Sequence, residues 1–367
     1  MKKRAKKMIC MAGICGVVLC VSGCGITSNF PGKEKKRAEL KIGISVYDQY
    51  DTFLTEVISR LQSYAKEKEK DWNITITLEI QDANKSQLVQ NDQNDEFIKR
   101  NFDVACINLV DRTDASTIID KAKKADMPII FFNRELVEEE LERWDKLYYV
   151  GADAFKSGQI QGQILIEQCE KDFASVDRNG DGIIQYVMLE GEAGHQDSIV
   201  RSMYVIDEIT KAGYKVEKLA DEIANWSRSQ AETKMTQFLS SYRNEIEVVF
   251  ANNDDMALGA IDALKKELGT KREAKDNGTP WPYVLGIDGT EVGLEAVANG
   301  EMLGTVLNDG KGQAERMLDL AYSVVSGEPL SEEIELIDGK YIRLPYQKVT
   351  AENVAKIQWN MQETIKE

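Results

Sequence analysis

Carboxylates, amides, one arginine and one histidine recur in this chain just after short β-rich runs, and such groups are suited to hydrogen bonding. They are Asp51, Asn108, Asn133, His195, Asp197, Arg201, Asn253, Asp254, Asp288, Asn308 and Asp309, joined by the flat rings of Phe53 and Trp226. Asx residues after strands often cap the next helix. That accounts for any one of them, and Asp254 and Asp309 are expected to be caps. It does not account for the set. Opposed carboxylates and amides with one Arg suit a neutral, polyhydroxylated ring, because each hydroxyl can donate to a carboxylate and accept from an amide or guanidinium. An aromatic ring can cover the C–H face of a pyranose while its edge is hydrogen-bonded.

A second constellation lies at 177–185, DRNGDGIIQ. Asp177, Asn179 and Asp181 alternate, Gly182 permits a sharp turn, Ile183 can offer its carbonyl and Gln185 comes ninth. These are the first nine positions of an EF-hand-type loop, whose oxygens satisfy a hard cation. The twelfth position is Met188 rather than a bidentate Glu, and the following IIQYVML reads as a strand. The bidentate carboxylate must therefore come from elsewhere. An Asn-Gly-Asp-Gly turn without metal is the alternative; three oxygen side chains at period two favour calcium in a structural role.

The elements that must position these groups alternate strand and helix, and do so twice. The first half has strands at 40–46, 74–80, 104–107 and 129–132, with helices from about 52, at 87–100 and at 114–124. The second half has strands at 147–150, 185–189, 214–219, 247–251, 283–287 and 303–306, each followed by a helix-period segment. Repeated βα units give parallel sheets covered on both faces. The expected fold is α/β: two doubly wound parallel-sheet lobes joined by a three-segment hinge. Ligands of such sheets bind outside the carboxyl ends of the strands, where the candidate residues stand.

The 367 residues suffice for two domains and a sizeable core. The net charge is −16, and five of the basic residues (Lys2, Lys3, Arg4, Lys6, Lys7) fall in the first 23, so the body is more acidic still. An acidic body repels phosphate backbones, which argues against nucleic-acid partners. With His195 as the single histidine, multi-histidine metal sites and His-based catalytic pairs have little to build on.

The chain resembles the galactose/glucose-binding family of bacterial ABC sugar uptake, which is periplasmic-binding-protein-like. The matching stretches include IGISVYDQYDTF (42–53), INLVD (107–111), FFN (131–133), YYVGAD (148–153), GEAGHQDSIVR (191–201), NNDDMALGA (252–260), GIDG (286–289) and GTVLND (304–309). The resemblance implies a sugar held between Phe53 and Trp226 and hydrogen-bonded by Asp51, Asn108, His195, Asp197, Arg201, Asn253, Asp288 and Asn308. It also supplies Glu247 as the missing bidentate calcium ligand. It implies type I periplasmic-binding-protein architecture, closure around the sugar, a permease that recognises the closed shape, and a monomer. The segment at 269–282 is longer and more polar than the family pattern and has no assigned role.

The N-terminus reads as an address. Basic residues precede an apolar run from about residue 8 to 21, the length of a signal h-region and short of a membrane span. The segment ends Val21-Ser22-Gly23-Cys24, which resembles the bacterial lipobox, with Cys24 lipidated. The expected organisation is a signal peptide at 1–23, a tether at 24–39, a first lobe of 40–132 with 309–342, and a second lobe of 133–308 with 343–367. The protein would then sit outside the cytoplasm, lipid-anchored to the cell membrane. Cys106 and Cys169 lie in apolar stretches and read as buried thiols rather than a disulfide framework.

No catalysis is expected. A sugar-sensing partner of a chemoreceptor or membrane kinase would use the same clamp. A carbohydrate-active hydrolase would need one of Asp51 and Asp288 as a general acid, and both are accounted for as hydroxyl acceptors. A transcriptional repressor with this core would need a basic DNA-binding segment where the lipobox stands.

Overall fold

The computed structural model describes residues 38–366. The expected signal peptide, the lipidation site Cys24 and the tether up to residue 37 lie outside the described residues.

The chain runs β1 (Glu39–Val46), α1 (Thr52–Trp72), β2 (Thr75–Asp82), α2 (Gln87–Lys99), β3 (Val104–Ile107), α3 (Ser116–Ala125), β4 (Ile129–Phe132), α4 (Glu138–Leu141), β5 (Leu147–Ala152) and α5 (Ala154–Val176). It continues β6 (Ile183–Glu190), α6 (Gln196–Lys211), β7 (Lys215–Ile223), α7 (Arg228–Tyr242), β8 (Val248–Ala251), α8 (Asp254–Leu268), α9 (Lys271–Asp276), β9 (Tyr283–Leu285) and α10 (Glu291–Ala298). The last elements are β10 (Gly304–Leu307), α11 (Gly310–Ser326), β11 (Tyr341–Leu344), β12 (Gln347–Thr350) and α12 (Val354–Lys366). Among the described residues no helix is long and apolar enough to cross a membrane.

The strands form two six-stranded sheets, ordered β2-β1-β3-β4-β5-β11 and β7-β6-β8-β9-β10-β12. Neighbours are parallel throughout except β12, which runs antiparallel to β10. The two orders are the same, so the chain builds one doubly wound unit twice. In each, strand order reverses at the first strand: between β1 and β3, and between β6 and β8. That reversal opens the crevice in which such sheets bind ligands.

Alternation along the strands explains why both faces are covered. Val104 and Cys106 of β3, with Ile130 and Phe132 of β4, enter one core. Ala105, Ile107, Ile129 and Phe131 enter the other. The side-chain period of two places successive residues on opposite faces, so a strand buried on both sides reads as an unbroken apolar run. Helix α1 buries Phe53, Leu54, Val57, Leu61 and Ala65 along one stripe, starts at the Asp51 cap and stops at Asn73 in the left-handed conformation (φ 52°). Cys106 and Cys169 are buried free thiols in the cores of different lobes; burial pushes them up to about 12 and about 11.

The lobe boundaries differ from the expected ones. Strand β5 pairs with β4 and β11, so it completes the first sheet, and the first crossing falls between β5 and α5 rather than near Asn133. Strand β11 also belongs to the first sheet, which moves the third crossing from Arg343 to the short 345–346 link before β12. The second crossing stands where expected, since β10 lies in the second sheet while Ala314, Met317 and Leu318 of α11 enter the first lobe's core. A βα repeat read along the sequence gives no sign of which sheet accepts an edge strand. The pairing of β5 with β11, nearly two hundred residues apart, is a tertiary decision.

The 269–282 segment is not a bare loop. It contains α9, closed by a capping box between Thr270 and Glu273, and it ends in Trp281, which is buried in the second lobe.

Candidate ligand-binding cleft

The candidate residues stand at strand exits, several of them at the two switch points. Asp51 follows β1 and Asn108 follows β3 in the first lobe; His195 and Asp197 follow β6 and Asn253 follows β8 in the second. Asp288 and Asn308 follow β9 and β10. All ten expected ligand residues are buried or half-buried. An open cleft of ≈ 1300 Å³ between α1 and α10 contains none of them.

Several are held in place by structural hydrogen bonds. Asp51 caps α1 through Oδ1, which accepts from Leu54 N at 2.9 Å, while Oδ2 accepts from the Tyr47 hydroxyl at 2.7 Å. Asn108 donates through Nδ2 to Phe132 O and Asn133 Oδ1, both at 3.1 Å. Asn253, rather than the expected Asp254, caps α8, accepting from Met256 N at 2.9 Å. Asp309 does cap α11. Asn308 Oδ1 accepts from Gln313 Nε2 at 2.8 Å. Phe53 presses into the first lobe's core with its ring edge beside Gly310.

His195 caps α6 with Nδ1, which accepts from Asp197 N at 3.1 Å. An accepting Nδ1 is unprotonated, so in the neutral ring Nε2 carries the hydrogen and can donate to a ligand oxygen. Burial, then Arg134, Arg201 and Arg112, holds this imidazole well below its usual range, so it stays neutral at physiological pH.

Arg201 is the hub of the second lobe. Its Nη1 donates to Asn252 O at 2.7 Å, and its Nη2 to Asp197 Oδ2 at 3.1 Å and the Tyr346 hydroxyl at 3.3 Å. Asp288 stands 3.7 Å away. Its buried Nε has no protein partner. Burial raises both Asp197 and Asp288 against the opposing pull of Arg201. Asp51 also raises Asp288, and Glu135, Arg134 and Arg112 act on Asp197, so first-lobe charges face second-lobe ligand groups. Hydroxyl donors from a neutral ligand would relieve carboxylates held in this way.

Strain marks the same places. Trp226 has φ 61° after Asn225 at 52°, Asp288 has φ 117° and Asn133 has φ 59°. A bulky residue in the left-handed region is costly and persists where its surroundings hold it. Here the Trp226 indole lies against Gly191, where a Cβ would come within 2.1 Å of the ring, and against the edge of His195.

Side-chain contacts join the lobes across the cleft. Arg134 Nη2 donates to Glu192 Oε2 at 2.8 Å, and the Thr52 hydroxyl donates to Asp255 Oδ2 at 2.6 Å. Sequence reasoning missed Tyr47, Arg134, Glu192 and Tyr346. The first three flank ligand residues in YDQYD, FFNR and GEAGH, which was the available signal; Tyr346 sits in the third crossing and gave none. Asp254, expected as a cap, is instead fully buried and accepts from Thr305 Oγ1 at 2.5 Å, Thr290 N at 2.8 Å and Thr290 Oγ1 at 3.3 Å. Its carboxylate ties together the loops that carry Asn253, Asp288 and Asn308.

At the 177–185 loop, Asp177 accepts from the backbone of Gly180, Asp181 and Gly182. Asn179 and Gln185 direct their amides at Asp181 Oδ2, 3.1 and 3.0 Å away. Glu247 reaches in from the end of the turn before β8, accepting from Arg178 N at 2.6 Å and Gln185 N at 3.1 Å. Among the described residues no three acidic, His or Cys side chains form a metal cage. A cation here would depend on the mixed oxygens of Asp177, Asn179, Asp181, Gln185, Glu247 and the Ile183 carbonyl. That donor set fits a hard ion, because the amides of Asn179 and Gln185 can turn oxygen for nitrogen. Burial raises the Glu247 carboxyl against its backbone hydrogen bonds, which also suits a cation. Arg178 donates to Ile246 O, Pro280 O and Trp281 O, fastening the 269–282 segment to this loop.

Two doubly wound lobes, three crossings and a ring of polar groups with aromatics at the facing switch points define a two-lobe solute-binding clamp. The chain belongs to the periplasmic binding protein family, whose domain matches residues 42–329. It is 35% identical over 322 residues to the D-galactose/methyl-galactoside binding periplasmic protein of Haemophilus influenzae, covering 86% of this chain and 91% of that one. It is 31% identical over 322 residues to the xylitol-binding protein of Mycolicibacterium smegmatis, covering 87% and 80%. An ABC transporter solute binding protein from Bacillus halodurans, solved with myo-inositol, superposes with a TM-score of 0.70 at 29% identity over 89% of this chain and 99% of that one. These relatives are binding proteins, not enzymes.

Proposed function

We propose that this protein is an extracytoplasmic, lipid-anchored substrate-binding protein that captures D-galactose or D-glucose by lobe closure and hands it to an ABC permease. The observation that carries the reading is the ligand set itself. Asp51, Asp197, Asp288 and the Asn108 amide oxygen offer acceptors, Asn253, Asn308, His195 Nε2 and Arg201 offer donors, and Phe53 and Trp226 offer flat faces, one from each lobe. Nothing in that set calls for a charged ligand: Arg201 is already matched by Asp197 and Asp288. The similarity to a galactose/methyl-galactoside binding protein over 86% of this chain supports the hexose, while a relative named for xylitol and a solved neighbour with bound myo-inositol mark the polyol alternatives.

Closure brings both lobes onto the sugar at once. Among the described residues the crossings are the only backbone links between the sheets, so few dihedrals need change. Exclusion of water strengthens each hydrogen bond within. The 177–185 loop with Glu247 would hold calcium as a structural ion, and Cys24 would carry the lipid.

Isothermal titration of the mature protein with glucose, galactose, methyl-galactoside, xylose, ribose, xylitol and myo-inositol tests the reading. Saturable binding of glucose or galactose ahead of the others is expected. Binding of xylitol or inositol with no heat from either hexose would reassign the ligand, and silence across the panel would remove the sugar.

A further inference from the structure

We infer that Arg134 and Glu192 form a latch between the lobes that sets how long the closed cleft retains its ligand, without either side chain being a sugar contact; this rests on the sugar-binding reading above. Arg134 leaves β4 immediately after Asn133 and is only 5% exposed. Three interactions belong to it. Its guanidinium lies 3.4 Å from the centroid of the Tyr47 ring, Nη1 donates to Val110 O at 3.2 Å, and Nη2 donates to Glu192 Oε2 at 2.8 Å. The first two are within the first lobe. The third crosses to the second.

Each end of the latch is tied to a ligand group. Tyr47, beneath the guanidinium, donates its hydroxyl to Asp51 at 2.7 Å. Glu192 offers its own carbonyl to His195 N at 3.2 Å, at the start of the turn that presents the imidazole. The pair therefore bridges the first lobe's carboxylate ligand and the second lobe's histidine. It is well shielded, the Glu192 side chain being 23% exposed and that of Arg134 5%, so its attraction is stronger than that of a surface pair.

The geometry makes the pair specific to the closed form. When the lobes part, Arg134 keeps Tyr47 and Val110 while Nη2 and Glu192 return to water. An interaction present in one state and absent from the other shifts the equilibrium between them by its own free energy. It acts on escape of the ligand, since encounter occurs with the lobes open. The Thr52–Asp255 hydrogen bond, whose residues lie one and two positions from Asp51 and Asn253, has the same cross-lobe character.

The test compares the full wild-type chain with Arg134→Met, which keeps the stem over Tyr47, with Glu192→Gln, and with the double variant, using stopped-flow fluorescence with glucose and galactose. Each single change should speed dissociation on the order of tenfold with association little altered, and the double variant should resemble the singles because both remove one interaction. Wild-type dissociation rates in the single variants, or strictly additive effects in the double, overturn the latch while leaving the sugar reading intact. If no hexose binds the wild type, the sugar reading fails by itself. The latch is then read from the ligand-free chains by small-angle scattering: single variants more open than the wild type support it, because the pair favours the closed form, and profiles identical to the wild type overturn it.

Discussion

The His195 imidazole meets the Trp226 indole edge-on, with ring centroids 5.1 Å apart and an interplanar angle of 77°. Two residues thirty-one positions apart in sequence, each following a different strand, thus pack against each other. The ring is fixed from a second side by Arg201, 5.8 Å from its centroid. An indole held in this way would serve as a stacking platform under the proposed reading, and its emission would then report what lies on it.

Sugar binding should change intrinsic fluorescence through Trp226, and Trp226→Ala should abolish most of that change and weaken binding by on the order of 1–3 kcal/mol. Titration of both proteins with glucose and galactose checks this. An unaltered dissociation constant in the variant would take Trp226 out of the site.

Gly191 is the floor under that ring. A Cβ there would lie 2.1 Å from Cζ2 of Trp226, so Gly191→Ala must displace the indole or the strand exit. Loss of sugar affinity together with a stability decrease on the order of 1–3 kcal/mol is expected. Calorimetric titration and thermal melting of the variant measure the two, and wild-type values in both would show that the ring is not seated there.

Burial pushes the Asp254 carboxyl up to about 7, against hydrogen bonds from Thr305 and Thr290, whereas in the unfolded chain it titrates near 3.9. The folded state therefore holds this proton more tightly. The stability linked to it is fully present below about pH 4, falls between about pH 4 and 7 by at most about 1.4 kcal/mol per unit, and is lost above that. Urea melts of wild type and Asp254→Asn across pH 4–8 should show the difference between them narrowing or reversing as pH rises. A pH-independent difference would mean that Asp254 does not titrate in this range.

If the 177–185 loop and Glu247 hold calcium, excess chelator should lower the melting temperature and calcium should restore it, since an ion bound only by the folded chain stabilises by about 2.7 kcal/mol at a hundred times its dissociation constant. Asp181→Ala should blunt the response. A melting temperature indifferent to both additions would leave a metal-free turn, held by the hydrogen bonds of Asp177 and Asn179.

Much of this protein was readable along the chain because local physics carried it. The unbroken apolar runs at 104–107 and 129–132 announce strands buried on two faces, Asp51 announces the start of α1, and the candidate residues do stand at strand exits. The loop DRNGDGIIQ shows its alternating oxygens without any fold at all. The 345–346 crossing, by contrast, lies between two four-residue strands too short to give a period.

What folding alone decided is partnership. The sequence determined that Asp51, His195, Asn253 and Asp288 follow strands and that the chain repeats its βα unit twice. It could not say that β5 and β11 would complete the first sheet, that Asp254 rather than a cap residue would bind three loops, or that Arg134 would cross to Glu192. Those contacts join residues tens to hundreds of positions apart. Their energies depend on burial and on which lobe faces which, quantities that exist only once the chain is packed.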